Sequence, residues 1–465
     1  MRSALPARWG RRHPVSPMSI RPPSLASALR AFKYRPGEPG IMTRDPEALA
    51  EAYLPRLREN LRETVIDFWY PRAVDTEHGG FLTSYDAEGE FAGNDRKMIV
   101  TQARMLWFSA RCYRAGYGDE LLDAAERGFD FLTEEMRDGD HGGYYWAVER
   151  DGEVVKPNKH MYGQSFVLYG LAEYYRASDD EAAREAAVDL FERFEAQAYD
   201  HDHGGYVEYF EPDWTPITDG GTYLDNIEPD WSPKEDVDAE LDPTTKLMNT
   251  HLHLMEALTT FYEATGHDLG GKRLSELLTI NTNTVVRKKL GACTDKYAPD
   301  WQPLLDDENY RIVSYGHDVE NVWLTMDAAD ALDSPLDYYR DLYETLWDYS
   351  LEYGYDDDHG GFYFYGPFEE PATSRIKAWW VQAEALTSAL RMYELTGDDR
   401  YADVFADTYD FIDEHHVDRE VGEWHSGVTE DLEPVGRKGA MYKGAYHNGR
   451  ALLECIEALE RLRDS

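Results

Sequence analysis

The chain has 465 residues, 42% of them hydrophobic, with 33 Tyr, 17 Phe and 12 Trp, which is ample for a large aromatic core. Its formal net charge of −43 excludes nucleic acid and anionic membranes as partners, because such a surface repels phosphate at long range. No run of about 18 apolar residues offers a membrane span, and three widely separated cysteines (Cys112, Cys293, Cys455) build neither a disulfide framework nor a zinc spacing, which points to a reducing cytoplasm.

Residues 1–44 stand apart, with nine Lys or Arg, one acid and the proline-rich "RRHPVSPMSIRPPS". They read as a disordered leader, or as the product of a start placed upstream of Met42, and they lack the apolar stretch of a signal peptide. From residue 45 onward, acidic runs such as "SDDEAARE" and "YGYDDDH" are spread along the chain, the pattern of a halophilic protein whose solvated surface is adapted to high salt.

Residues 45–465 read as one domain of twelve helices, at 46–70, 99–115, 119–136, 161–176, 179–197, 245–265, 268–289, 316–333, 335–353, 377–396, 399–416 and 443–462. Amphipathic segments alternate with segments that are apolar almost all round. Residues 119–136 carry one stripe of Leu122, Ala125, Phe129 and Leu132, whereas 161–176 ("MYGQSFVLYGLAEYYR") suits full burial. Between them lie glycine turns flanked by short aromatic strands: "HGG" recurs with its histidine at 78, 141, 203 and 359. Weaker echoes near Asp295 and His425 complete six units of about 64 residues, with a polar loop insertion near 215–244. Alternating burial over six units predicts two concentric rings: an all-α (α/α)6 barrel of twelve helices with short β-hairpins on one rim. An open solenoid would need distinct polar end caps.

The repeated "DHGG" poses a choice between scaffold and site. Asp138, Asp140, Gly143 and Glu149, and likewise Asp200, Asp202, Gly205 and Glu211, match calcium-loop spacing in part. The fifth ligand position is glycine, however, and strands follow in place of a helix. Paired glycines at positive φ and an aspartate bonding the turn backbone fit a hairpin better.

Buried polar side chains are costly unless paired or used, yet the beginnings of the apolar helices carry them. Arg104, Tyr162, Gln164, Asn249, His251, His253, His317, Glu320, Trp379, Trp380, Gln382, Glu384, Tyr442 and His447 would converge at one mouth of the barrel. Asn249 and His253 are four residues apart and share a face, while His251 points away. Glu320 lies three residues after His317, close enough to orient its imidazole and raise its pKa. Histidines, an arginine and a wall of Trp and Tyr suggest a sugar site. A zinc site from His253, His317 and His447 is the metal alternative, but no HExxH or CxxC accompanies them.

In order along the chain, "NTHLHLMEA", "YGHDVE", "KAWWVQAEAL" and "YHNGRALLE" form a signature similar to the N-acylglucosamine 2-epimerase family, most of all its cellobiose and mannose 2-epimerase branch, over residues 46–462. The resemblance implies an (α/α)6 barrel that needs no cofactor and no metal and works on a small-molecule sugar as a monomer or homodimer. It implies His317 and His447 as the acid/base pair at C2 of an open-chain aldose, His253 as a third active-site histidine, Arg104 as the stabiliser of the enediolate, and Glu320 as the partner of His317. Tyr162, Asn249, Trp379, Trp380, Gln382 and Tyr442 would contact substrate. Disaccharide-acting members usually carry Trp where this chain has Tyr442, which favours a monosaccharide. An aldose–ketose isomerase needs almost the same residues, and acylglucosamine is a further substrate within the family. A glycoside hydrolase, with Glu320 and Glu384 as its carboxylates, and a non-catalytic sugar-binding protein complete the alternatives.

Overall fold

The computed structural model describes residues 45–220 and 241–464. The leader and most of the predicted insertion lie outside the described residues. Among those described are twelve α-helices of 12 to 19 residues: α1 Pro46–Glu59, α2 Ile99–Arg114, α3 Glu120–Phe131, α4 Met161–Ser178, α5 Glu181–Gln197, α6 Met248–Thr265, α7 Asp268–Thr279, α8 Tyr315–Ala331, α9 Arg340–Tyr353, α10 Trp379–Thr396, α11 Asp399–Phe411 and α12 Tyr446–Asp464. The even-numbered helices pack side by side in order, and α12 closes on α2. Each odd-numbered helix lies against an inner one, α1 on α12 and α3, α5, α7, α9 and α11 each on the inner helix before it. The chain is therefore a closed (α/α)6 barrel, and the open solenoid is excluded.

Local chemistry fixes this path. Three inner helices hand over to outer ones through two residues: Asp179-Asp180, Gly266-His267 and Gly397-Asp398. The first of each pair sits in the left-handed region, at φ 55°, 63° and 66°. The second accepts a backbone N–H of the new helix through its side chain. So short a link forces antiparallel neighbours, which leaves every long connection, and every hairpin, on the rim where the inner helices begin. α4 is buried along most of its length, while α3 buries one face with Leu121, Ala124, Ala125 and Phe129; Leu122 is only partly covered.

Several boundaries depart from the sequence reading: the helices predicted over 46–70, 119–136 and 399–416 pass into π turns after Glu59, Phe131 and Phe411, and the one predicted from 335 starts at Arg340. The helix predicted over 268–289 ends at Thr279, loosens into a π turn at Ile280–Thr284, and gives way to a strand pair, Val286–Arg287 with Ala292–Cys293. Asn281 bonds back to the Leu277 and His251 carbonyls, and the β-branched residues that follow prefer a strand. The fourth turn therefore lies at 287–292, and the echo near Asp295 marks the strand just past it. The inner helices predicted to start at 99 and 161 do so, the one predicted at 316 starts at Tyr315, and those predicted at 245, 377 and 443 start two or three residues later. The residues before five of the six form strands, Lys97–Met98, Lys159–His160, Lys246–Leu247, Ile312–Ser314 and Lys377–Ala378, each paired with a strand beyond the next turn. A bridge between Tyr85 and Gly439 joins the first unit to the last.

Candidate active site

The turns come first, because they set the register of everything else. Asp75, Asp138, Asp200 and Asp418 each accept two backbone N–H groups of their own turn, and Asp356 accepts one. Both glycines of every HGG lie at positive φ. Beneath each of these aspartates sits a buried lysine: Lys97 on Asp75 at 3.0 Å, Lys159 on Asp138 and Lys246 on Asp200 at 2.7 Å, Lys377 on Asp356 and Lys438 on Asp418 at 2.8 Å. A lysine ammonium stands where the calcium reading would need the ion, so that reading is set aside.

A second clamp reaches each turn from the inner helix above it. Gln102 Oε1 accepts the Phe81 N–H, Gln164 Oε1 that of Tyr144, His251 Nε2 that of Tyr206, Asp318 Oδ1 that of Cys293 and Gln382 Oε1 that of Phe362, over 2.8–3.0 Å. Each is the fourth residue of its helix. On α12 the corresponding role falls to its third residue, Asn448, whose amide donates to Glu423 of the sixth turn at 2.7 Å. His251 thus faces away from the mouth, as its spacing implied. Gln382 does not have the substrate-contacting role expected of it: it is fully buried, and its amide donates to the Phe362 carbonyl at 2.7 Å while its oxygen holds the N–H.

Because an α-helix turns about 100° per residue, a residue two places from an outward-facing clamp points inward. Two places after the six clamps come Arg104, Phe166, His253, Glu320, Glu384 and Arg450, each at most 3% exposed. These form one layer across the barrel. Two places before four of the clamps come Tyr162, Asn249, Trp380 and Tyr446, which line the mouth side together with His317 and His447, each one place before its own clamp. Sequence reasoning missed Arg450, Tyr446 and Glu256. The signal was there in the register: Arg450 follows His447 by three residues, as Glu256 follows His253 and Glu320 follows His317.

Arg450 is the hub. Its guanidinium donates to Glu256 Oε1, and through Nη2 to Glu320 Oε1 at 3.1 Å and Glu384 Oε1 at 2.7 Å. The two carboxylates that flank Glu320 also hold histidines: Glu256 Oε2 lies 2.8 Å from His253 Nδ1, and Glu384 Oε1 lies 2.6 Å from His447 Nδ1. Glu384 Oε2 accepts from Trp323 Nε1 at 2.9 Å, and Tyr446 donates to Glu256. Glu320 therefore engages Arg450, with its second oxygen buried and without a hydrogen bond among the described residues, in place of the expected pairing with His317. Burial pushes the Glu320 carboxyl well above its ordinary value, aided by the charge of Glu384. Burial would raise Glu256 too, but Arg450 and His253 outweigh it and bring that carboxyl down to about 2. Burial, then Arg104 and Arg450, hold His447 well below the usual imidazole value; His253 is lowered by burial despite the Glu256 charge.

Aromatic rings and one further cation complete the mouth. The Trp380 ring lies 4.9 Å from His317 and 5.9 Å from His447, and Trp379 meets His447 edge-on at 6.3 Å. Arg104 donates to the Tyr162 hydroxyl at 3.0 Å and to the Tyr442 carbonyl at 3.1 Å, with its guanidinium over Phe166 and Tyr446. Asn249 donates its backbone N–H to Asp295, and its side-chain oxygen is buried with no partner among the described residues.

With Nδ1 of both His253 and His447 held by a carboxylate, each neutral imidazole carries its proton there and presents Nε2 as a base. The ligand atoms of Glu320, Glu384 and His447 come within 4.8 Å of one another. Arg450 sits on both of those carboxylates, so a cation of the chain's own already occupies the cluster. This is the equipment for proton transfer beside a carbonyl: oriented imidazole bases, a fixed cation and aromatic faces for a sugar ring.

The sequence profile of the family described as N-acylglucosamine 2-epimerase (GlcNAc 2-epimerase) matches residues 79–223 and 221–451. A cellobiose 2-epimerase from Ruminococcus albus is 30% identical over 417 residues, 86% of this chain and 97% of that protein. A D-mannose isomerase from Marinomonas mediterranea is 24% identical over 85% of this chain and 95% of its own length. Among solved structures, a cellobiose 2-epimerase from Bacillus thermoamylovorans B4167 superposes with a TM-score of 0.78 at 26% identity, covering 88% of this chain and 99% of that one.

Proposed function

The chain belongs to the N-acylglucosamine 2-epimerase family, and from that membership we propose that it is a 2-epimerase which takes the proton from C2 of an open-chain aldose and returns it to the opposite face, with His317 and His447 as the two bases. It is an isomerase acting on carbohydrate. One imidazole takes the C2 proton, the electron pair moves toward C1, and a cis-enediolate forms. The other, as imidazolium, protonates C2 from the far side. Arg104 supplies the positive charge that the developing oxyanion needs, and Tyr162, Asn249, Trp379 and Trp380 hold the hydroxyls and the ring.

The observation that carries this reading is Trp380, whose single indole touches both His317 and His447. A sugar lying beside that indole has an imidazole within reach on either hand. The substrate is an aldose with a free reducing end, of the glucose/mannose type, and Tyr442 at the mouth favours a monosaccharide over a disaccharide. Three buried free thiols support a cytoplasmic enzyme.

NMR of mannose, glucose and cellobiose incubated with the protein in D2O at high salt tests this. Deuterium at C2 with both epimers present is the expected result, abolished in His447→Asn. Ketose in place of the epimer would reassign the chain to aldose–ketose isomerisation, and no exchange with any aldose would overturn the proton-transfer reading. In the same assay, Tyr442→Trp is expected to move preference from mannose toward cellobiose.

A further inference from the structure

We propose that Arg450 is a positioning residue that yokes the carboxylates behind two histidines, so that His253 on α6 and His447 on α12 present their Nε2 atoms as a coupled pair. The inference rests on the proton-transfer reading above and adds a residue that never meets the sugar: Arg450 is 1% exposed. One guanidinium spans Glu256 and Glu384, and each of those carboxylates fixes one imidazole through Nδ1. A planar fork with donors on two sides can do this, whereas a lysine ammonium is a single point and cannot span both carboxylates with the same geometry. Packing holds the fork in place, with Arg450 lying over Trp323 at 4.7 Å and over Tyr446 at 4.3 Å.

The yoke also sets charge. His253 faces Glu256 on its own helix, Arg104 from α2, Tyr162 from α4, and Arg450 and His447 from α12. His447 faces Glu384 from α10, Arg104 from α2, His253 and Glu256 from α6, and Arg450 and Tyr446 on its own helix. In both sets Arg450 opposes the imidazolium form. Taking away its charge or its reach lets a proton bind more readily, so the neutral base is lost at a higher pH.

The test uses the full chain. Arg450→Lys is expected to lower kcat on the order of 100-fold, because small misplacements of catalytic groups cost that much, with KM changed far less. The acid limb of its kcat/KM profile should move toward neutral pH. Histidine-ring NMR titrations, which need no turnover, should show His253 and His447 protonating at higher pH than in the parent. Unmoved titrations and an unmoved acid limb would overturn the proposal, whatever happened to rate or stability. If the parent turns over no aldose, the function reading fails, and the titrations still decide the yoke. If Arg450→Lys does not fold, Glu384→Gln takes its place. That change removes Glu384 from Arg450's three carboxylates and leaves the guanidinium to Glu256 and Glu320, so His253, with which Glu384 shares no hydrogen bond, must shift its titration. A His253 signal that stays where it was would sink the coupling.

Discussion

His251 and Gln382 are chemically unlike, yet each does one job, holding the backbone N–H of the residue that follows a glycine turn. Composition alone makes both look like candidates for a mouth rich in histidine and aromatic rings; only the register separates them from His253 and Glu384, two residues on. Gln382→Leu is therefore expected to lose the two bonds to Phe362, leaving a buried N–H and C=O without partners at about 1–3 kcal/mol each. Its thermal midpoint should fall while KM for the sugar holds; a raised KM at unchanged stability would restore Gln382 to the substrate contacts. At this scale much of the candidate site was legible. His253, His447, Arg104 and Trp380 could be found because polar groups in an apolar helix stand out. The partner of Glu320 was not, because spacing along one helix says nothing of a guanidinium arriving from another, 130 positions away in sequence.

The same limit governs the elements. Twelve helices could be read from periodicity and turn glycines, and ten ends shifted by only a few residues, but the strands before the inner helices were hidden because two-residue strands have no period to detect. The lysine that opens four of those strands is the informative residue. Burial alone would raise the Asp356 carboxyl, but Lys377 holds it below its ordinary value. That stabilisation is complete above about pH 4, the unfolded carboxyl's range, and fades as acid protonates the folded group. Lys377→Met is expected to cost about 3–5 kcal/mol at neutral pH by leaving a buried carboxylate uncompensated. The double change with Asp356→Asn should recover part of the loss. Chemical denaturation of the two variants measures the difference, and equal losses would show that the pair is not coupled.

For the molecule as a whole, the surface charge dominates. A net charge of −43 on 465 residues repels itself over the Debye length, about 8 Å at physiological ionic strength and about 3 Å in 1 M salt. Thermal midpoints measured from 0.1 to 3 M KCl should rise steeply over the first molar, the behaviour of a protein built for brine. A flat or falling profile would end the halophilic reading. The buried ion pairs under the turns are screened far less, so charge reversal on the surface should change the salt profile while Lys377→Met leaves its shape alone.

Ring closure has a consequence for biosynthesis. The helix that completes the inner ring, α12, is the last of the twelve to leave the ribosome, and it packs on both α1 and α2, among the first. It also carries Arg450. Until α12 arrives, Glu256, Glu320 and Glu384 lack the guanidinium that bridges all three, and Arg104 is the one arginine already in their layer. Closing the barrel and neutralising its interior are then one event: a chain stopped short of residue 450 lacks both the wall and the charge that lets the wall close.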